Sequence, residues 1–245
     1  MKKTLILCTC ILLATVLCLG FLQMLVMPKY MTTSRDGALI AEYYREEPDH
    51  DVVFIGDCEV YECFTPPTLW QADGITSYVR GSAQQLIWQS YYLLEETLKY
   101  ETPKAVVFNV LSIKYGKPQN EAYNRITLDG MKWSSSKVDA IYASMTEDET
   151  FLSYVFPLLR YHSRWSEIGR EDWQYLFHRD TVSHNGYLMQ TAIDPKVSDM
   201  EGFPRADYTL PKIGFEYLEK TIKLIDIADR IDNKIEQTDA REIIK

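Results

Sequence analysis

Cysteine and histidine are scarce in this sequence. Five of its 245 residues are cysteine and four are histidine, and three of the cysteines lie within the first 18 residues. Only Cys58 and Cys63 are left for the rest of the chain, which excludes a disulfide framework but leaves a single bridge open. No C-x-x-C pair and no Cys/His metal spacing occurs, so the sequence predicts neither a metal site nor a cofactor.

Basic residues are outnumbered by acidic ones. The chain has 26 Lys and Arg against 35 Asp and Glu, a formal net charge of −9. The first 27 residues carry two lysines and no acid, so the remaining 218 carry −11. A nucleic-acid-binding domain usually has a basic face, and nucleic acid is therefore excluded as a partner. The same balance argues against adhesion to anionic lipid beyond an anchoring helix.

Residues 4–27 contain no charged side chain, and Lys2 and Lys3 precede them. A helix of 24 residues is about 36 Å long, which is enough to cross a bilayer. A cleaved signal peptide, the alternative, usually has a shorter apolar core and ends in small residues, which are missing here; a lipobox at Cys18 lacks its small residue too. Residues 1–27 are therefore predicted as an uncleaved signal anchor. Lys2 and Lys3 would stay on the cytoplasmic side of the membrane. The chain would then be a single-pass membrane protein whose domain lies outside the cytoplasm.

The residues after this segment are predicted to form a stem, 28–50, and one α/β domain, 51–245. Short apolar runs closed by glycine or polar residues predict buried strands at 51–56, 77–80 and 105–111. Apolar spacing and first-turn prolines predict helices at 68–72, 84–100, 138–145, 147–159, 171–177 and 213–235. The alternation of strands and helices predicts a parallel sheet, with residues 112–212 as a helical, aromatic-rich insert.

In such sheets, sites lie beyond the carboxyl ends of the strands. The first strand ends in Gly56-Asp57-Cys58, where the glycine permits a sharp turn that presents Cys58 with its N–H exposed. A nucleophile at this point could supply one oxyanion donor from its own backbone, and Gly81 could supply a second.

These residues resemble the SGNH/GDSL hydrolase superfamily, and within it the membrane-anchored, extracytoplasmic bacterial members related to the DltD proteins of lipoteichoic-acid D-alanylation. The resemblance covers residues 51–111, and extends more loosely through 124–125, 129–133, 161–162 and 185–187. It implies a three-layer, flavodoxin-like parallel sheet and activity on acyl esters of cell-envelope polymers.

The superfamily's blocks match this chain in part. The first block is Gly-Asp-Ser with serine as the nucleophile, and here Cys58 occupies the serine position. The second block's glycine, an oxyanion donor, corresponds to Gly81. Asn109 lies near the place of the third block's asparagine but lacks its sequence context, and the Asp-x-x-His that supplies the acid and base is not found. The resemblance therefore implies a domain that is degenerate or incomplete at its C-terminus.

A cysteine nucleophile needs a lowered pKa, usually from a histidine or a helix N-terminus. Asp57 and Glu59 flank Cys58 and would raise its pKa instead. Among the histidines, His162 is the most plausible base. Three functions stay open: an esterase or acyltransferase working through Cys58, a non-catalytic module that binds an envelope polysaccharide, a teichoic-acid-like polymer or a partner enzyme, and a fragment of a longer hydrolase-like protein.

Overall fold

A computed structural model describes residues 2–27, 36–118, 120–178, 181–188 and 210–243. The strands in this part of the chain are β1 (Val52–Gly56), β2 (Ser77–Gly81) and β3 (Ala105–Phe108). The α-helices are α1 (Lys2–Val26), α2 (Asp36–Glu42), α3 (Cys58–Cys63), α4 (Pro66–Asp73), α5 (Ile87–Thr97), α6 (Glu121–Leu128), α7 (Ser135–Ser144), α8 (Phe151–Val155), α9 (Pro157–Tyr161), α10 (Arg170–Phe177) and α11 (Lys212–Ile243). Short 3₁₀ turns lie at Tyr43–Arg45, Leu111–Lys114 and His162–Ser166.

The three strands form a parallel sheet in the order β2-β1-β3, which confirms the α/β class and the parallel pairing. Gly56 at the end of β1 is in register with Gly81 at the end of β2, and Ile55 is in register with Phe108. The carboxyl ends of all three strands therefore meet at one edge of the sheet.

The sheet is buried unevenly. All five residues of β2 are buried and β1 is buried from Val53 onward, as expected of strands covered on both faces. β3 exposes alternate residues, among them Val107. Within the described residues β3 is paired on its β1 side alone, so its other edge is open.

A buried arginine ties the sheet to the helices around it. The Arg80 guanidinium on β2 donates to the Leu93 carbonyl oxygen at 3.0 Å and to Thr97 Oγ1 at 2.8 Å, both on α5. Its Cζ lies 4.0 Å from the centre of the Tyr43 ring. An arginine with no exposed surface is stable only with partners of this kind, so β2, α5 and the segment before β1 are held as one unit.

Part of the segment before β1, which the sequence predicts as a stem, is buried. Residues 28–35 lie outside the described residues, but Leu39 and Ile40 on α2 are fully buried. The buried Glu42 carboxylate accepts hydrogen bonds from the backbone N–H groups of Val182 and Ser183, at 2.7 and 3.1 Å. Residues that precede Asp51 therefore pack against the domain predicted at 51–245.

Two predicted helices have different bounds for identifiable reasons. Predicted helix 147–159 is broken into α8 and α9 because Pro157 lacks the N–H of a helix interior and Phe156 before it leaves the helical conformation, with a φ of −120° and a ψ of 79°. Helix 84–100 starts only at Ile87, because Gln84 has a φ of 53° and the Leu86 N–H is taken by Gln89 Oε1 at 2.9 Å.

The N-terminal helix α1 is long and apolar enough to cross a membrane. By length and composition it fits an anchor and a signal sequence alike. Its surface is exposed except near its end, where Leu25 and Val26 are buried.

Candidate functional site

The turn after β1 is built by Asp57. It is the N-cap of α3, and its Oδ1 accepts a hydrogen bond from the Glu59 N–H at 3.2 Å, a common way for aspartate to begin a helix. Cys58 is consequently the first residue of α3 and is half-buried. The turn thus presents Cys58 at the carboxyl end of β1, as the sequence predicts.

Gly56 lets three segments meet at this turn. A Cβ on Gly56 would lie 2.4 Å from Val60 Cγ2 and 2.5 Å from Asn109 Cβ, closer than non-bonded carbons approach. The glycine therefore permits the close contact of β1 with α3 and with the residue that follows β3.

Gly81 lies beside the same turn. A Cβ there would be 3.0 Å from the Gly56 carbonyl oxygen and 3.1 Å from Tyr61 Cδ1. The second predicted oxyanion donor is thus next to the Gly56-Asp57-Cys58 turn, on the neighbouring strand.

Asn109 connects the end of β3 to Asp57. Its Nδ2 donates to Asp57 Oδ1 at 3.3 Å, and its Oδ1 accepts the Leu111 N–H at 2.7 Å. The second bond turns the chain into the 3₁₀ turn after β3, which is why the strand ends at Phe108 and not at Leu111. Asn109 holds the Asp57 carboxylate in place, a role that its position in the sequence did not indicate.

The electrostatics of the site oppose a thiolate. Burial raises the pKa of the Cys58 thiol, and the carboxylates of Asp57 and Glu62 raise it further. Burial also raises the pKa of Asp57 itself. The direction predicted for Cys58 is confirmed, although its second acidic neighbour is Glu62, one helical turn along α3, and not Glu59. At neutral pH Cys58 is a protonated thiol and a weak nucleophile.

Neither of the two cysteines of the domain is bridged. Cys58 and Cys63 are free thiols at opposite ends of α3. The bridge that the sequence left open is not formed.

The structure places His162 elsewhere. It is exposed on the 3₁₀ turn after α9, a turn that packs against α1, and its Nδ1 lies 3.1 Å from the Leu159 carbonyl oxygen. His50 is engaged too, with its Nδ1 2.8 Å from Glu101 Oε2 at the opposite edge of the sheet. Cys58, Gly81 and Asn109 are therefore brought together, and His162 is not brought to them.

A loop closes the outer side of β2 near the site. The Val79 N–H donates to the Asn185 carbonyl oxygen at 2.9 Å, and the Leu188 N–H donates to the Tyr61 carbonyl oxygen at 3.0 Å. Gly186 has a φ of 80°, and a Cβ on it would lie 1.9 Å from the Val79 carbonyl oxygen. Residues 185–187, to which the resemblance extends loosely, therefore cover β2, and the next residue, Leu188, packs against α3.

The superfamily resemblance also extends loosely to residues in the helical part of the chain, and three of these, Arg125, Asp129 and Tyr161, contact one another. Arg125 on α6 donates to Asp129 Oδ1 at 3.5 Å, and the Tyr161 hydroxyl donates to Asp129 Oδ2 at 3.1 Å. The Arg125 guanidinium also lies 4.1 Å from the Tyr154 ring centre. This is a buried ion pair with its own partners, and it joins α6 to α8 and α9.

A cavity of about 650 Å³ opens at the opposite edge of the sheet, where β1 and β2 begin. It is lined by Glu46, Glu47, Asp49, His50 and Trp70 among others. None of the residues predicted as a site lines it. Within the described ranges no group of three or more His, Cys, Asp or Glu side chains could hold a metal ion.

Comparison of the chain with protein-family models, with curated proteins and with solved structures finds no match.

Proposed function

We propose that this chain is a membrane-anchored, extracytoplasmic SGNH/GDSL-like protein with a degenerate site, of a family that acts on acyl esters of cell-envelope polymers. The observation that carries the proposal is the meeting of Cys58, Gly81 and Asn109 at one edge of the sheet. The blocks of the superfamily converge at the corresponding edge. The helix α1 provides the anchor.

The sheet order supports the same proposal. The order β2-β1-β3 agrees with the first three strands of the flavodoxin-like order 2-1-3-4-5. A fourth parallel strand of that order would pair along the open edge of β3, whose backbone pairs only with β1 among the described residues. The proposal therefore includes a fourth strand that pairs with β3 along this edge.

The electrostatics around Cys58 favour a degenerate site over a catalytically active one. Burial and the acidic neighbours of Cys58 raise its pKa, and the histidines at 50 and 162 have the partners described above. Transfer of a proton by a positioned base is worth about 10²- to 10⁴-fold in rate. A site without that contribution would hold an acyl ester without hydrolysing it efficiently.

Hydrolysis of p-nitrophenyl acetate by the full chain tests whether the Cys58 site is catalytically active. We expect the wild type, Cys58→Ser and Cys58→Ala to be equally slow. A rapid wild type that loses its activity in Cys58→Ala would contradict degeneracy and establish a working thiol. Activity that appears in Cys58→Ser alone would show that only the nucleophile has been lost.

A non-catalytic binding module is the second candidate, favoured by the protonated Cys58 and by the fixed Asp57–Asn109 pair. Binding of alanylated lipoteichoic acid to the full chain tests it. Asn109→Ala should weaken binding, whereas Trp70→Ala, at the opposite edge, should leave it unchanged. If both variants bind the polymer equally well, the polymer does not bind at the edge of the sheet where Cys58 and Asn109 lie.

A further inference from the structure

Large apolar side chains are exposed on the short helices that follow one another from α9 to α10. Leu159 is 55% exposed, Trp165 47%, Trp173 46% and Phe177 82%. On α10, Arg170, Trp173 and Phe177 share one face by their helical spacing, and with Gln174 and His178 they line a groove of about 570 Å³. A soluble surface rarely exposes aromatic groups so densely.

The end of α1 is fixed to these same helices. Gln23 Nε2 donates to the Val155 carbonyl oxygen at 3.2 Å, and Arg164 Nη1 donates to the Val26 carbonyl oxygen at 2.7 Å. Leu25 and Val26 are buried in the contact. The helices that carry the exposed apolar groups therefore pack against the end of α1.

One aromatic contact indicates how far along α1, and so at what level of a bilayer that α1 crosses, this surface lies. The ring centres of Phe21 and Trp173 are 5.9 Å apart. Phe21 precedes the end of α1 by five residues, which is about 7.5 Å along a helix. A residue at that distance from the end of a spanning helix lies near the boundary of the hydrocarbon core, and Trp173 must lie at the same level.

We propose that the surface formed by residues 156–178, the membrane-facing surface, lies in the headgroup and upper acyl region of the bilayer that α1 crosses. Tryptophan is enriched in this region because its ring is apolar and its N–H is polar. Arg170, beside Trp173 in the groove, is positioned for lipid phosphate. The inference rests on the anchor of the proposed function and is independent of its ester chemistry.

Apolar burial and not charge drives this contact. The chain carries a net charge of −9, and Arg164 is already paired with Asp172 at 3.2 Å. The contact should therefore form on zwitterionic lipid as well as on anionic lipid, in contrast to a polybasic surface.

Quenching of tryptophan fluorescence by brominated lipid tests the inference. The full chain is reconstituted in phosphatidylcholine vesicles whose acyl chains are brominated close to the headgroup. Brominated lipid should quench part of the wild-type emission. Trp173→Phe should reduce this quenched component and Trp165→Phe, on the same surface, should reduce it as well, whereas Trp70→Phe and Trp133→Phe should retain it. The exposed Trp70 and Trp133 lie on α4 and before α7, and are matched controls.

The outcomes separate this inference from the proposed function. Unquenched wild-type emission, or quenching that Trp173→Phe does not reduce, overturns the inference and indicates that water or another protein covers the surface. Flotation of the same vesicles tests the anchor, and a chain that fails to float contradicts both. Quenching that depends on Trp173 supports the inference even if the chain neither hydrolyses esters nor binds polymer.

Discussion

At the scale of single residues, the acidic neighbours of Cys58 add to the effect of burial in raising the pKa of its thiol. Asp57→Asn removes one negative charge but keeps a side chain that can cap α3. Because a nearby carboxylate raises a thiol's pKa, the variant should have a lower Cys58 pKa. A fall of half a pKa unit would increase the thiolate fraction at pH 8 by about threefold. Alkylation by iodoacetamide, followed at the Cys58 peptide by mass spectrometry, measures this change.

Glu62→Gln should act in the same direction, since its carboxylate also raises the Cys58 pKa. Glu147→Gln, an exposed residue before α8, is the control and should leave the rate unchanged. An unaltered alkylation rate in both Asp57→Asn and Glu62→Gln would show that burial alone keeps Cys58 protonated.

Gly56 lies where the turn after β1 leaves no room for a side chain. Gly56→Ala places a methyl group within 2.5 Å of both Val60 and Asn109, and overpacking of this kind costs about 1–3 kcal/mol. Gly169→Ala is the matched control, because a Cβ there meets nothing within 4 Å. Thermal unfolding of the full chain in detergent should give a clearly lower Tm for Gly56→Ala only. Equal values of Tm would mean that β1, α3 and Asn109 are not closely packed.

At the scale of elements, Glu101 joins the segment before β1 to the loop after α5. Its carboxylate accepts from the Tyr43 hydroxyl at 2.7 Å and from the His50 N–H at 3.0 Å. Burial alone would raise the pKa of Glu101, but the bonds from His50 and Tyr43 outweigh it, and the pKa is lowered. A carboxyl with a lowered pKa stabilises the fold above its unfolded-state pKa, and this contribution is lost as the pH falls through the folded-state value.

The free energy of unfolding should therefore fall between about pH 5 and pH 3 more steeply in the wild type than in Glu101→Gln, which has no carboxyl to titrate. At pH 7 Glu101→Gln should be less stable by about 1–3 kcal/mol, because it weakens the bonds to His50 and Tyr43. Urea unfolding at a series of pH values measures both effects. Parallel pH profiles would show that the His50–Glu101 pair does not hold this segment.

The sequence predicts elements best where periodicity is strong. Parallel pairing follows from the alternation of strands and helices, and brings Cys58 and Gly81 to one edge before any contact is known. The helix α3 is too short for a periodic signal, although Asp57 is a typical N-cap. Because α3 was not predicted, the i,i+4 relation between Cys58 and Glu62 could not be seen. The Asn109–Asp57 bond depends on tertiary structure, which no local pattern encodes.

At the scale of the whole molecule, the burial of the end of α1 bears on whether the helix is retained. A cleaved signal peptide would take Leu25 and Val26 with it, together with the backbone oxygen that Arg164 Nη1 binds. The sequence could not show that Leu25 and Val26 are buried in the domain. An apolar run indicates the length of a helix but not what its last turn packs against. A domain that uses these residues in its core favours an uncleaved anchor.

Two shortened chains test this conclusion. One begins at residue 21 and keeps the last turns of α1, and the other begins at residue 28. Burial of a Leu or Val side chain contributes about 1.5–3 kcal/mol, and 1 kcal/mol shifts the Tm of a domain of this size by about 2–4 °C. The two side chains together contribute about 3–6 kcal/mol, so the chain from residue 21 should have a Tm higher by roughly 6–24 °C. Replacing Leu25 and Val26 by serine in that chain should remove most of the difference. Equal values of Tm for the two unsubstituted chains would mean that the domain does not need the end of α1, as expected of a protein whose signal is removed.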